Sequence, residues 1–183
     1  MAATHQEDGR AAIATDAVLF WLIALSSAAF IAILALAAYW DHTIIRLHLF
    51  QSFQYVAIVA LAARCNRWGY FIGISVAAIW IYIASFVGNF VEGGFENLGL
   101  SIQAEALIKP DQLIAVPAFL CQLVLLLACI MGYLRLAARS AFDVPRLLIS
   151  LVGGLIYLLF CFALFQPRYL AMVPRLFHPH LPI

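Results

Sequence analysis

The sequence predicts an all-α integral membrane protein, a bundle of five transmembrane helices with one short helix in an outer loop. Three observations predict this class. Hydrophobic residues make up 66% of the chain and charged residues 10%, whereas soluble domains average about 45–50% and about 25%. Five apolar segments approach the ~20 residues that a helix needs to cross ~30 Å of hydrocarbon. These segments are continuously apolar, without the alternation over about ten residues that marks β-barrel strands.

The five candidate spans belong to one domain. We expect a membrane domain over residues 17–167, preceded by an N-terminal tail (residues 1–16) and followed by a proline-rich C-terminal tail (residues 168–183). The spans are predicted at residues 17–40, 44–63, 68–91, 112–134 and 147–166. Glu7 and Asp8 precede the first span, whereas a cleaved signal begins with a basic segment and has a shorter apolar core. The first span is therefore expected to be a retained helix.

Aromatic residues bracket the first span, and polar residues interrupt the second. Trp21 and Trp40 are 19 residues apart, which is ~28 Å along a helix, so both rings can reach an interface. Span two carries Arg46, His48 and several other polar side chains in its first half. A re-entrant second segment is the alternative to a crossing helix, and it would move the N-terminus to the opposite side of the membrane.

Helix-terminating and helix-capping residues mark the later spans. Gly93 and Gly94 are expected to end span three, and a short loop helix is expected at about residues 101–108. Asp111 can cap span four and Asp143 can cap span five, because a carboxylate accepts hydrogen bonds from the free N–H groups of a first turn.

The charges of the loops predict an orientation. Arginines occupy two inter-span loops: Arg64 and Arg67 in one, and Arg135, Arg139 and Arg146 in the other. The loop over residues 92–111 instead holds four acidic residues against one lysine. Because Lys and Arg are enriched in short cytoplasmic loops, we expect both arginine loops in the cytoplasm and the acidic loop outside. The expected location is an inner (plasma) membrane of prokaryotic type.

Several classes of function find no support in the residues. The formal net charge is +1, so no nucleic-acid partner is expected. Four cysteines form no Cys-x-x-Cys pair, so neither a zinc site nor a disulfide framework is predicted. The sequence contains no Gly-x-Ser-x-Gly, His-Glu-x-x-His or phosphate-loop motif, so the expectation leans away from an enzyme and assigns no catalytic or metal residue. It leaves the cofactor unknown.

Polar side chains concentrate in the outer halves of the spans. At 100° per residue, the polar residues of each span share an arc of about 100° or less. The candidate ligand-binding residues are His48, Gln51 and Tyr55 of span two, Tyr82, Asn89 and Glu92 of span three, and Gln122 of span four. Because polar groups facing lipid are costly, they are expected to turn inward. They either line an outward-open pocket or join helices by hydrogen bonds worth ~0.6 kcal/mol each.

Within this cluster we expect His48 to pair with Glu92, because a carboxylate is the strongest partner at that depth. The pocket would suit a small polar ligand, an ion or a quinone head group. Small residues also form a stripe on span three at Gly69, Gly73 and Ala77, which suits packing within the chain or self-association.

The predicted function is that of a non-catalytic accessory or small-ligand-binding subunit of a membrane assembly, either a homo-oligomer or a larger complex in the lipid bilayer. A small transporter or channel for an ion or polar solute is the alternative, and it requires polar residues in the inner halves as well. A membrane enzyme acting on lipid or quinone is the second alternative, with His48 and Glu92 as its acid and base.

Overall fold

The computed structural model describes residues 2–135 and 140–177, with the backbone alone for residues 2–15. Within these ranges every regular element is helical. The α-helices are α1 (Ala2–Trp40), α2 (Ile45–Ala62), α3 (Arg67–Tyr82), α4 (Phe90–Ala104), α5 (Pro110–Leu113), α6 (Ala115–Arg135), α7 (Asp143–Phe165) and α8 (Val173–Phe177). Arg139 and residues 178–183 of the C-terminal tail lie outside the described residues.

Five helical segments are long and apolar enough to cross a membrane, which confirms the predicted fold class at that level. They are Asp16–Trp40, His42–Ala62, Arg67–Val87, Pro110–Arg135 and Asp143–Phe165. The second segment combines a 3₁₀ turn, His42–Ile44, with an uninterrupted α2. Helix α2 contains no reversal of the chain of the kind that a re-entrant segment needs, and the segment is long and apolar enough to cross.

Span three ends earlier than expected, because the helix breaks before Gly93. A single π-helical turn, Ile83–Val87, is followed by Asn89 at φ 52°, ψ 23°, and Asn is among the residues that best tolerate this left-handed conformation. Gly93 and Gly94 therefore lie inside α4 and do not end a helix. A Cβ at Gly94 would stand 3.1 Å from both the Gln112 carbonyl oxygen and the Ala115 Cβ, so this glycine permits close packing.

The loop helix accordingly begins at Phe90, well before the expected start at residue 101, and α4 ends at Ala104. The expected cap at Asp111 is also wrong. Lys109 precedes α5 in a left-handed conformation, and Asp111 is an exposed residue of the first turn.

Asp143 does not cap span five either, because it already belongs to the first turn of α7. Its carboxylate accepts hydrogen bonds from Arg67 (3.1 Å), Arg146 (3.0 Å) and the Tyr133 hydroxyl (3.1 Å). It also accepts one from the Ser140 N–H (2.9 Å). This residue, only 4% exposed, therefore ties α3, α6 and α7 together at the arginine end of the bundle.

Helix α3 is the centre of the bundle, since it packs against α2, α6 and α7, while α1 closes a four-helix ring by contacting α2 and α6. Gly69 and Gly73 make this ring tight. A Cβ at Gly69 would lie 2.7 Å from the Ala62 nitrogen, and one at Gly73 would meet the Cys129 sulfur and Ile58. The glycine stripe thus packs within the chain.

Helix α7 lies outside the ring, where it packs against α3 and is also held by polar contacts in its C-terminal half. The Tyr157 hydroxyl donates to the Phe50 carbonyl (2.7 Å), and Gln166 Nε2 donates to the Thr43 carbonyl (2.6 Å). The residues after α7 fold back on the same end, where Arg168 pairs with Asp41 at 2.9 Å. We call this the acidic end, opposite to the arginine end.

Candidate binding cavity

A cavity of about 780 Å³ lies between α1, α2, α3, α6 and α7. It extends from Asp41 and Asp111 at the acidic end to Phe30, Tyr55 and Val76 near the middle of the bundle. Fourteen residues separate Asp41 from Tyr55, which corresponds to about 20 Å of helix. Aromatic rings form much of its wall: Phe30, Trp40, Trp80, Phe90, Phe162 and Tyr169.

One wall of the cavity is polar, and α2 supplies it. His48, Gln51, Gln54 and Tyr55 all line the space, because spacings of three, six and seven residues keep them on one side of a helix. We call these four residues the α2 polar face. The α2 polar face runs from near the acidic end to the middle of the bundle. Because the aromatic residues line the same stretch, the cavity is amphipathic along its length.

The ring of His48 has a defined hydrogen-bonding role. Its Nδ1 lies 2.8 Å from the Leu34 carbonyl oxygen. A carbonyl only accepts, so this contact assigns the proton of the neutral ring to Nδ1 and leaves Nε2 as an acceptor. Nε2 has no hydrogen-bond partner among the described residues. A hydrogen-bond acceptor is thus left for whatever enters the cavity.

Tyr55 and Gln122 form a buried pair at the deep end. Gln122 is 0% exposed, and its Nε2 donates to the Tyr55 hydroxyl at 2.6 Å. Its Oε1 has no partner within the described residues. If the amide is turned over, the Tyr55 hydroxyl donates to Oε1 and the NH₂ group is the one without a partner. Either orientation leaves an unmet polar group beside the cavity.

Gln51 and Gln54 complete the polar face. Both are half-buried, and neither side chain makes a hydrogen bond to another described residue. An amide carries an acceptor and two donors. Three side chains of this wall, His48, Gln51 and Gln54, therefore present donors or acceptors that the described protein atoms do not satisfy.

The structure brings only part of the predicted cluster to this space. His48, Gln51, Tyr55 and Asn89 line the cavity, and Gln122 stands directly behind Tyr55. Tyr82 and Glu92 do not line it. Whether any of these residues binds a ligand stays a prediction.

Tyr82 and Glu92 lie outside the cavity, and their contacts explain why. The Tyr82 hydroxyl donates to the Leu176 carbonyl at 2.8 Å and holds α8 against the bundle. Glu92 is an exposed residue of α4, since the break at Asn89 ends the register on which its predicted angle depended. The expected pairing of His48 with Glu92 is therefore not formed, and the Leu34 carbonyl takes that place.

Sequence reasoning missed Gln54 and the cluster at the acidic end. Gln54 lies outside the narrow arc expected for the polar residues, but a cavity this wide takes in more of the helix surface. At the acidic end, Asp41 accepts from the Thr43 hydroxyl (2.6 Å) and N–H (3.0 Å) and from Arg168 (2.9 Å). The Thr43 hydrogen bonds first, and the Arg168 charge second, hold the pKa of Asp41 below its ordinary value.

No group of three or more His, Cys, Asp or Glu residues in the described ranges converges as a metal site would. Comparisons of the chain with protein-family models, with curated proteins and with solved structures found no match. The function is therefore argued from the cavity.

Proposed function

We propose that this chain is a membrane-embedded binding protein whose cavity at the acidic end holds a small, largely apolar ligand with a polar head. We further propose that it serves as an accessory subunit in an inner membrane, with the arginine end in the cytoplasm and the cavity open to the outside. A single observation carries the proposal: unpartnered polar groups of α2 face an aromatic-walled space of about 780 Å³, within the usual range of ligand pockets.

The energetic argument concerns the polar face. A polar group buried without a partner costs on the order of 1–3 kcal/mol. This applies to the Gln122 amide, which is 0% exposed and whose Oε1 has no partner among the described residues. The side chains of His48, Gln51 and Gln54 are half-buried, so a molecule that displaced water from them would add a similar cost unless it hydrogen-bonded to them. A bound molecule that hydrogen-bonds to them offsets it, and the aromatic wall provides the matching apolar surface.

A transporter or channel is less well supported. Such a function needs a polar path that continues beyond the cavity. Below Phe30 and Tyr55 the described core contains Ile23, Ile58 and Leu125, each at most 1% exposed. Its buried polar side chains there are small serines, Ser26, Ser27, Ser75 and Ser150, and none of them lines the cavity. A membrane enzyme with His48 and Glu92 as acid and base is also less well supported, because Glu92 is an exposed residue of α4.

The direct test is to ask what co-purifies with the protein and whether the cavity holds it. We expect wild-type protein, extracted into lipid nanodiscs from its native membrane, to carry a molecule that mass spectrometry finds enriched over matched nanodiscs without protein. Ala37→Phe should reduce that enrichment several-fold, since Ala37 lines the cavity. Ala35→Phe is the matched control, because Ala35 is exposed on the same helix.

Two results would overturn the proposal. One is wild-type protein with no enriched molecule. The other is an equal loss in the two variants while both keep the wild-type melting temperature, since the molecule would then bind elsewhere.

A further inference from the structure

We infer that the ligand of this cavity is an uncharged amphiphile that carries a hydroxyl hydrogen-bond donor, of the phenol or lipid-alcohol class, and that it donates to Nε2 of His48. This inference rests on the proposed binding function and specifies the chemistry of the same site. Three properties of the cavity lead to it: its charge, the hydrogen-bonding role of His48, and the aromatic and apolar wall formed by α1 and α3.

The charge of the lining disfavours an anionic head. The described lining contains two carboxylates, Asp41 and Asp111, and neither lysine nor arginine. Three cations are next in sequence to lining residues: Arg46, Lys109 and Arg168. None of them lines the cavity, the first two are exposed, and Arg168 is engaged with Asp41 and Thr43. A phosphate or carboxylate would therefore meet negative charge at the mouth and no compensating cation inside, where burying an unpaired charge is costly.

The tautomer of His48 requires a donor. With Nδ1 donating to Leu34, the neutral ring offers a lone pair at Nε2 and no second proton. A ligand with acceptors only, such as an ester, an ether or an oxidised quinone, would leave this lone pair unmet. A hydroxyl satisfies it, and the hydroxyl oxygen can in turn accept from the amide of Gln51, one turn further along the same side of α2.

The apolar wall beside the α2 polar face indicates the rest of the molecule. Phe30 packs edge-on against Trp80, with ring centroids 5.2 Å apart, and lies 4.8 Å from the Tyr55 ring. Ile33, Leu34 and Ile79 extend this surface. Flat rings and apolar chains bury well against such a wall, so the polar edge of the ligand faces α2 and its apolar body faces α1 and α3.

A matched set of three probes separates these requirements. 4-Octylphenol is neutral and carries a hydroxyl, 4-octylanisole is its methyl ether without a donor, and 4-octylbenzoate is an anion of similar size. Each probe is titrated at neutral pH into delipidated protein in detergent. The rise in melting temperature gives an apparent Kd, and Ala37→Phe measures binding outside the cavity.

We expect wild-type protein to bind octylphenol about tenfold more tightly than the anisole, the ratio that one well-placed hydrogen bond supplies. It should bind the benzoate more weakly than both. In His48→Phe the preference for phenol over anisole should fall to about one, whereas in Ala37→Phe binding of all three should be lost. The probe series on wild-type protein is decisive even where His48→Phe does not fold.

Each failure has its own signature. Equal binding of phenol and anisole, abolished by Ala37→Phe, overturns the donor requirement and leaves the proposed binding function intact. Tightest binding of the benzoate overturns the charge argument. A full phenol preference retained in folded His48→Phe assigns the donor's partner to another group and overturns the role of His48. Absence of binding by all three probes overturns the ligand class, while the co-purification experiment separately decides the proposed function.

Discussion

The hydrogen-bonding role of a polar residue in this bundle depends on its partner in another helix. His48 and Tyr55 lie on the same side of α2, yet one ring is held by a backbone carbonyl of α1 and the other by a side-chain amide of α6. The same residue types on an isolated helix would be equivalent polar positions. Because their partners differ, Nε2 of His48 is an acceptor near the acidic end, and among the described residues the Gln122 amide has an unpartnered group near the middle of the bundle. The two ends of the cavity therefore differ in hydrogen-bonding capacity.

Gly69 is the residue at which close packing is most sensitive to substitution. We expect Gly69→Ala to destabilise the protein by about 1–3 kcal/mol, because the new Cβ would lie 2.7 Å from the backbone nitrogen of Ala62 and 2.8 Å from the Leu61 Cβ. Thermal unfolding in detergent, followed by tryptophan fluorescence, measures the change.

The matched control is Gly153→Ala. A Cβ at Gly153 meets nothing within 4 Å, so its stability should stay within about 1 kcal/mol of wild type or rise slightly through better helix propensity. A Gly69→Ala protein that melts like wild type would mean that α2 and α3 can separate at no cost there, contrary to the packing described.

Asp41 gives the acidic end a predictable pH response. The Thr43 hydrogen bonds and Arg168 lower its pKa in the folded protein, so folding favours the ionised carboxylate. That contribution is complete above the ordinary carboxyl pKa of about 4 and disappears as the pH falls through the lowered value. Because the ion pair is exposed, we expect less than about 1 kcal/mol.

The measurement compares wild type with Asp41→Asn from pH 6 to the lowest pH at which both stay soluble. The melting temperatures should differ at pH 6 and converge in acid. Asp111→Asn, at an exposed carboxylate on α5, should stay parallel to wild type. A constant difference between wild type and Asp41→Asn would show that this carboxylate does not change its ionisation with folding.

At the scale of elements, helix α7 buries few of its side chains and has hydrogen-bonded residues at its two ends. Only 11% of its most apolar window is buried inside the structure, against 39% for the third span. Asp143 and Gln166 hold its two ends. We therefore expect these hydrogen-bonded residues to contribute to its attachment, together with its packing against α3.

We expect Asp143→Asn to lower the melting temperature by several degrees and to loosen α7 from α3 and α6. The amide keeps the shape of the side chain but loses the charge that faces Arg67 and Arg146, at 3.1 and 3.0 Å from the carboxylate. Limited proteolysis of the loop before α7 and thermal unfolding together detect the change.

Asp111→Asn serves as the reference here too, since that residue is exposed. If Asp143→Asn and Asp111→Asn behaved alike in both measurements, the carboxylate at the arginine end would contribute nothing to helix attachment.

At the scale of the whole molecule, the two ends differ in charge, and this predicts which side each one faces. Cys65 is exposed between α2 and α3 at the arginine end, and Glu96 is exposed on α4 beyond the opposite end of α3. A membrane-impermeant maleimide applied to intact cells should label the double variant Cys65→Ser/Glu96→Cys. It should label wild-type Cys65 only after the cells are permeabilised.

The variant Cys65→Ser alone provides the background, since Cys129 and Cys161 are buried and Cys121 is half-buried. Labelling of Cys65 from outside, with Glu96→Cys protected, would invert the orientation. It would also place the mouth of the cavity on the cytoplasmic side.

The sequence by itself determined the number, order and approximate limits of the long helices, together with the side of α2 that carries His48, Gln51 and Tyr55. Each of these features can be read from one segment alone. The length of an apolar run predicts a spanning helix, and residue spacing gives the angle between side chains on the same helix. A local property needs no knowledge of the neighbouring helices, so composition and spacing were enough.

The tertiary structure alone decided which polar groups meet. The π-helical turn and the left-handed Asn89 moved Glu92 onto α4, the Leu34 carbonyl took the place expected for a carboxylate beside His48, and Asp143 joined three helices in place of capping one. Such partners depend on the relative rotation and depth of separate helices. Those are set by packing at positions such as Gly69 and Gly73, and no period within a single helix encodes them.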